Sequence, residues 1–239
     1  LQTEKETVRT EPLISVIIPN KDHTEDLICC IDSILKSGGY EHLEILIVEN
    51  NSTQPETFRE YERLMEKDRR IRLITWKGMF NYSRINNDAA MEAKGDYLLF
   101  LNNDTKIKKV GAIKELVQCI CTTAAGAVGC RLIYGDGTIQ HAGVVLGYGG
   151  VAGHAFEGMA ECDYACQRYA RMIRQMSAVT AACMLVSREA FWQIGGFTEE
   201  LGVAYNDIDF CMKLQKQGYM VLYDPKAELY HYESQTRGF

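Results

Sequence analysis

The stretch that decides the fold is Tyr97-Leu98-Leu99-Phe100-Leu101-Asn102-Asn103-Asp104-Thr105. Five apolar residues run straight into a polar cluster and then into a lysine-bearing turn at Lys106, Lys108 and Lys109. A continuous apolar run of this length, bounded by turn residues, predicts a buried strand of a parallel sheet. Open α/β sheets collect ligands just beyond the carboxyl ends of such strands, which is where Asn102, Asn103 and Asp104 fall. Asp104, a hard oxygen donor, suits a divalent cation and through it a phosphate. The same three residues also suit a plain turn, and this segment alone leaves both readings open.

Upstream, strands alternate with helices. Leu13-Ile14-Ser15-Val16-Ile17-Ile18 predicts a strand stopped by Pro19-Asn20-Lys21-Asp22. From Thr24 the apolar positions Leu27, Ile28, Ile31, Ile34 and Leu35 recur at helical spacing, and Gly38-Gly39 ends that helix. Leu43 to Val48 predicts a second strand, closing on Glu49-Asn50-Asn51-Ser52. Thr53-Gln54-Pro55-Glu56 has capping-box spacing and opens a helix to about Lys67. Ile71 to Thr75 reads as a strand, Ser83 to about Lys94 as a helix, and Gly95-Asp96 turns into the Tyr97 run. This alternation implies βαβ units, right-handed crossovers and a parallel sheet. The polar clusters at 19–22, 49–52 and 102–104 should then converge on one crevice.

Composition narrows the function. The chain has 239 residues, 46% hydrophobic and 24% charged, as in ordinary globular proteins. A net charge of −6 argues against a nucleic-acid partner, which calls for a basic patch or stripe. No window reaches the ~20 apolar residues of a membrane-spanning helix. The polar lead-in over residues 1–11 lacks a signal-peptide core and reads as a linker. The nine cysteines lie mostly in apolar segments, as small core residues do in a reducing compartment, so a cytoplasmic location is expected. Cys162-Asp-Tyr-Ala-Cys166 has half of a zinc-site spacing, but no second pair follows. Neither a Gly-x-Gly-x-x-Gly after the first strand nor a Walker-type loop occurs, so a glycine phosphate cradle is disfavoured.

Beyond Thr105 the texture changes. Val110 to Cys121 predicts a helix, and Arg131 to Tyr148 a hairpin with its tip at Tyr134-Gly135-Asp136-Gly137-Thr138. Gly147 to about Arg174 reads as a long functional loop. Within it Arg168, Arg171 and Arg174 fall three apart, as a solvated helix face or an anion-contacting one. Ala178 to Val186 is strand-like, Ser187 caps a helix ending at Gly195-Gly196, and a further helix starts at Tyr205-Asn206-Asp207-Ile208-Asp209 and ends at Gly218. Val221-Leu222-Tyr223 reads as the last strand.

Taken together, the pattern resembles the inverting glycosyltransferases of family 2. The residues that carry the resemblance are Ile14 to Asn20, Ile47 to Ser52, Gly95 to Asp104, Gly195-Gly196-Phe197 and Asn206 to Asp209. Ile139-Gln-His-Ala-Gly143, Gly150 to Ala155, Ser177 to Cys183 and His231-Tyr-Glu-Ser234 are similar to bacterial O-antigen and rhamnan-type transferase domains. The resemblance implies a GT-A fold: a Rossmann-like, mostly parallel sheet flanked by helices, with a smaller mixed subregion on the acceptor side. It implies one domain over 12–239, its nucleotide-binding half at 12–108 and its acceptor-binding half at 109–239. It implies a nucleotide-sugar donor and a glycan or lipid-linked saccharide acceptor. Peripheral attachment at the inner membrane face and a place in a longer multi-module chain are both compatible with it.

Residue by residue, the resemblance implies that Pro19, Lys21 and Asp22 hold the nucleotide and that Glu49 and Asn50 read base and ribose. Asn102-Asn103-Asp104 matches the metal motif, with Asp104 as ligand of a divalent cation, Mn2+ or Mg2+, and His231 completing the shell. Asp207 matches the catalytic base, and Arg237 would add positive charge over the diphosphate. Asp209 reads as structural, while His141, His154, Ser177 and Thr180 would line the acceptor side. The chain departs from the pattern in keeping one carboxylate in the metal motif, in its Glu-Asn base-reading pair, and in lacking the Gln/Arg-x-x-Arg-Trp motif of processive synthases. A nucleotidyltransferase and a non-catalytic carbohydrate-binding or scaffolding module are the competing readings.

Overall fold

Four strands, β1 (Ile14–Asn20), β2 (Leu43–Asn50), β3 (Ile71–Trp76) and β4 (Tyr97–Leu101), alternate with α1 (Thr24–Ser37), α2 (Pro55–Lys67) and α3 (Tyr82–Glu92). The computed structural model describes residues 11–164 and 168–232. β1 pairs in parallel with β2 and with β4, and β2 with β3, so their carboxyl ends share one edge.

The apolar runs of these strands are buried on both faces. Leu99 and Leu101 of β4 join Val16 of β1 and the α1 residues Leu27 and Ile31 in one cluster. Leu98 and Phe100 join Ile85 and Ala89 of α3 in another, where the Phe100 and Phe197 rings meet edge-on with centroids 4.9 Å apart. Burial of each such side chain contributes about 1.5–3 kcal/mol.

The remaining strands are β5 (Thr105–Ile107), β6 (Ala127–Ile133), β7 (Ile139–His141), β8 (Val144–Leu146), β9 (Ala152–His154), β10 (Arg174–Gln175), β11 (Cys183–Ser187) and β12 (Val221–His231). The remaining helices among the described residues are α4 (Ala112–Thr123), α5 (Arg188–Gln193) and α6 (Asn206–Lys216). β11 runs antiparallel to β4 and β6, and β12 parallel to β6. One ten-stranded sheet results, in the order β10-β12-β6-β11-β4-β1-β2-β3, with β5 on β12 and β7 on β6. β8 and β9 form a separate hairpin. The sheet is thus parallel where the alternation is regular and mixed beyond it.

Several local expectations give way to tertiary contacts. Thr53 does not cap α2; Gln54 takes that place without a side-chain bond. Asp22, from the loop after β1, supplies the acceptor instead. Its Oδ1 accepts from the Thr53 and Gln54 N–H groups at 3.0 Å each and from the Thr57 hydroxyl at 3.2 Å. The lysine-bearing turn contains β5, in which buried Thr105 and Ile107 flank exposed Lys106. The strand expected over 178–186 begins only at Cys183, because the backbone of 181 and 182 bonds to the site described below. β12 extends to His231, with Pro225 in the register shift between Asp224 and Glu228, where no ladder N–H is needed.

The hairpin tip at 134–138 closes as expected, Tyr134 N–H donating to the Thr138 carbonyl at 2.9 Å. The long loop after it holds β9 and β10. Its three arginines share no helix face: Arg171 lies in a turn and Arg174 in β10. Arg168 and Arg174 instead stand over the Tyr169 ring at 5.4 and 5.8 Å. Cys166 and Arg237 lie outside the described residues. Among the described residues, no helix is long and apolar enough to cross a membrane.

Candidate active site

At the carboxyl edge of the parallel strands, polar residues tie successive loops together. Asn103 Nδ2 donates to Asn20 Oδ1 at 2.7 Å, joining the ends of β4 and β1. Asn20 Nδ2 donates to the Tyr61 hydroxyl and to the Asp22 carbonyl, each at 2.8 Å. The Asp22 N–H donates to the Ser52 hydroxyl at 2.9 Å, and the Ser52 N–H to Glu49 Oε1. Asn20, Glu49 and Asn50 are buried, Pro19 is half-buried and Lys21 exposed. Burial raises the Asp22 carboxyl, but the donors of Gln54, Thr53 and Thr57 outweigh it and hold the group below the usual carboxylate range. The Asp22 side chain is therefore engaged by the start of α2, and that bond set fixes its loop.

Asp104 lies in the turn between β4 and β5 and is 7% exposed. His231 reaches it because β12 pairs antiparallel with β5, setting His231 opposite Thr105. Asp104 Oδ1 lies 3.2 Å from His231 Nε2, yet without the alignment of a hydrogen bond, and it has no hydrogen-bond partner among the described residues.

Gln140 explains this. Its Nε2 donates to the His231 carbonyl at 3.4 Å, which turns its Oε1 toward His231 Nδ1 at 2.7 Å. An amide oxygen only accepts, so in the neutral ring Nδ1 carries the proton and Nε2 presents a lone pair. That lone pair accepts from Asn102 Nδ2 at 3.1 Å and also faces the Asp104 carboxylate. Two acceptors, one of them a buried orphan oxygen, thus border a place suited to a cation. The negative field extends to α1, where the Asp26 carboxyl is raised first by burial and then by the Asp104 charge.

No group of three or more His, Cys, Asp or Glu side chains forms a cage among the described residues. One carboxylate and one imidazole fit a cation of the Mg2+ or Mn2+ kind, which takes few protein ligands and completes its shell with substrate phosphates and water.

Next to this pair opens a cleft of about 800 Å³ including open solvent, whose lining includes Asn102, His231, Gln140, His154, Thr180 and Asp207. Asp104 touches it through His231. Asp207, in the first turn of α6, accepts from the Ile208 N–H at 2.9 Å and from the Ala181 N–H at 3.3 Å. The neighbouring Ala182 carbonyl accepts from the Asn102 N–H at 3.0 Å. Two consecutive residues therefore tether both walls of the cleft, which is why they are lost to β11. The Tyr82 hydroxyl, also on the lining, is held protonated by burial and then by the Asp207 charge. Asp209 accepts from the Thr198 hydroxyl at 2.6 Å and does not line the cleft.

The site thus brings together Asn102, Asp104, Asp207 and His231, and bonds Asn103 to Asn20 beside Asp22. Glu49 and Asn50 sit on the same sheet edge, outside the cleft lining. Sequence reasoning gave Gln140 no role, since only the fold brings β7 under His231.

The profile of glycosyl transferase family 2 matches residues 15–195. The chain belongs to this family. Asp207 and His231 lie beyond the matched stretch. Over 234 residues it is 41% identical to the O-antigen biosynthesis protein RfbC of Myxococcus xanthus, covering 96% of the chain and 18% of RfbC. Over 231 residues it is 40% identical to uncharacterized protein y4gI of Sinorhizobium fredii, covering 95% of the chain and 25% of y4gI. The chain therefore spans a quarter or less of these relatives. Mannosyltransferase PcManGT from Pyrobaculum calidifontis, solved in complex with GDP-Man and Mn2+, is similar in fold with a TM-score of 0.71 at 17% identity, covering 97% of the chain and 59% of that protein. The family 2 domain has the expected GT-A fold.

Proposed function

We propose that this chain moves a sugar from a UDP- or dTDP-sugar to a hydroxyl of a glycan or lipid-linked acceptor, with inversion, in cell-surface polysaccharide synthesis at the cytoplasmic face of the membrane. The observation that carries this is one cleft whose lining brings Asn102 and His231 together with Asp207. Residues 12–108 serve the nucleotide, with the Pro19–Lys21 backbone, Glu49 and Asn50 on its base and ribose. A divalent cation held by Asp104 and His231 would offset the charge that develops on the departing diphosphate, in keeping with the Mn2+ of the PcManGT complex.

Asp207 carries the other half of the chemistry. An attacking hydroxyl must lose its proton, and a carboxylate within hydrogen-bond reach takes it. A single displacement from the face opposite the diphosphate inverts the anomeric centre. Isothermal calorimetry with UDP-, dTDP- and GDP-sugars, with and without Mn2+, tests the proposal. Mn2+-dependent binding of one donor, followed by release of its nucleoside diphosphate on adding acceptor, is expected. Binding of none of them would overturn it in favour of an inert module, and pyrophosphate release from a nucleoside triphosphate would favour a nucleotidyltransferase.

A further inference from the structure

His141 and His154 meet edge to edge beside the cleft. His141 ends β7 with no exposed surface, and its Nδ1 lies 2.7 Å from His154 Nδ1. On the other edge of the buried ring, Nε2 accepts from the Thr180 backbone N–H at 3.4 Å. A backbone N–H can only donate, so a neutral His141 carries its proton on Nδ1. That proton points at His154 Nδ1, which must accept it. His154 in turn keeps its own proton on Nε2. A second proton between the rings would set two N–H groups head-on, and burial disfavours charge on His141.

His154 is partly exposed and lines the cleft together with Thr180 and Asp207. Its bond to His141 is the hydrogen bond its ring makes among the described residues, which leaves the Nε2 edge for a ligand. The cleft lining also carries Glu157, whose Oε1 accepts from the Tyr134 hydroxyl at 3.0 Å. The carboxylate disfavours a phosphate in this cleft, and the neutral N–H donor suits an uncharged ligand rich in hydroxyl groups. The exposed Tyr205 ring, on the rim next to Asp207, adds an apolar surface of the kind a sugar ring covers.

We propose that His154 belongs to a saccharide subsite, where its Nε2–H donates to an oxygen of the acceptor sugar, and that His141 is a positioning residue that fixes the tautomer of His154. This rests on the transferase reading in calling the sugar an acceptor. The subsite itself can be tested without turnover.

The test is imidazole 15N NMR on the full chain at neutral pH, with methyl α-L-rhamnoside, methyl β-D-glucoside and methyl β-D-galactoside as probes. Wild-type His154 should show an unprotonated Nδ1 and a protonated Nε2, and at least one glycoside should shift the Nε2 signal. In His141→Ala the tautomer preference of His154 should be lost while Nε2 remains sensitive to the glycoside. An Nδ1-protonated His154, or an Nε2 signal unmoved by all three glycosides, would overturn the proposal whether or not the protein turns over a donor.

Kinetics add a second arm. His154→Ala should raise the KM for the responsive glycoside about tenfold and lower hydrolysis of the nucleotide sugar in the absence of acceptor far less. His154→Gln, which keeps a side-chain N–H, should recover most of that loss. An equal fall of hydrolysis and transfer in both variants would contradict an acceptor role. A wild type that hydrolyses no nucleotide sugar would sink the transferase reading, and the NMR result would still decide the subsite.

Discussion

His231 Nε2 and Asp104 Oδ1 face each other at 3.2 Å as two acceptors, because Gln140 holds the imidazole proton on the opposite nitrogen. Such a contact is unfavourable in a buried setting unless positive charge enters it. The chain keeps it by ladder pairing of β5 with β12. The pair is therefore the structural basis for expecting a cation, although the metal motif has a single carboxylate.

Replacing Gln140 tests the orienting role. Gln140→Leu removes the acceptor that fixes the His231 tautomer and should weaken Mn2+ affinity about 10–100-fold, read by Mn2+ titration followed by electron paramagnetic resonance. An unchanged affinity would mean that His231 is not a ligand.

Asp207→Asn keeps an oxygen for the Ala181 N–H but loses the base. Transfer should fall about 10²–10⁴-fold, with donor affinity and thermal stability near wild type. A variant that retains most of its activity would place proton removal elsewhere.

Asp22 separates a structural role from a nucleotide-binding one. Its carboxylate takes the start of α2, so Asp22→Ala should cost about 0.5–2 kcal/mol in chemical denaturation. Nucleotide affinity should drop only as far as the loop loosens, and Asp22→Asn should recover part of both. Lost donor affinity at unchanged stability would show that Asp22 contacts the nucleotide directly.

The parallel half of the fold was legible because its signals are local. The runs at 14–18, 43–48 and 97–101 are buried on both faces and form neighbouring strands. Their polar ends had to share an edge once the strands were parallel, which brought Asn20, Glu49 and Asn102 to one side. What escaped the sequence depends on distant partners. Asp22 takes over the α2 start from Thr53, and residues 181 and 182 are drawn out of β11 by Asp207 and Asn102. Spacing carries no trace of either bond. The meeting of Gln140 with His231, and of His141 with His154, likewise appears only when β7 and β9 are in place.

His141 predicts a pH effect on stability. Burial, then the neighbouring His154 and His231, hold its pKa well below the ordinary value. The folded state thus binds fewer protons than the unfolded state below about pH 6.5. This contribution to stability is complete above that pH and is lost as the pH falls toward the folded-state pKa. Urea unfolding should show lower stability at pH 5.5 than at pH 7.5, and His141→Gln should flatten the difference. An equally steep dependence in the variant would assign it to other groups.

The most direct test of the cation between Asp104 and His231 is calorimetric titration of the donor nucleotide sugar into wild type and Asp104→Asn, each with and without Mn2+. Mn2+ should tighten binding to the wild type at least tenfold and leave the variant unaffected. Equal Mn2+ enhancement in both proteins would contradict the assignment.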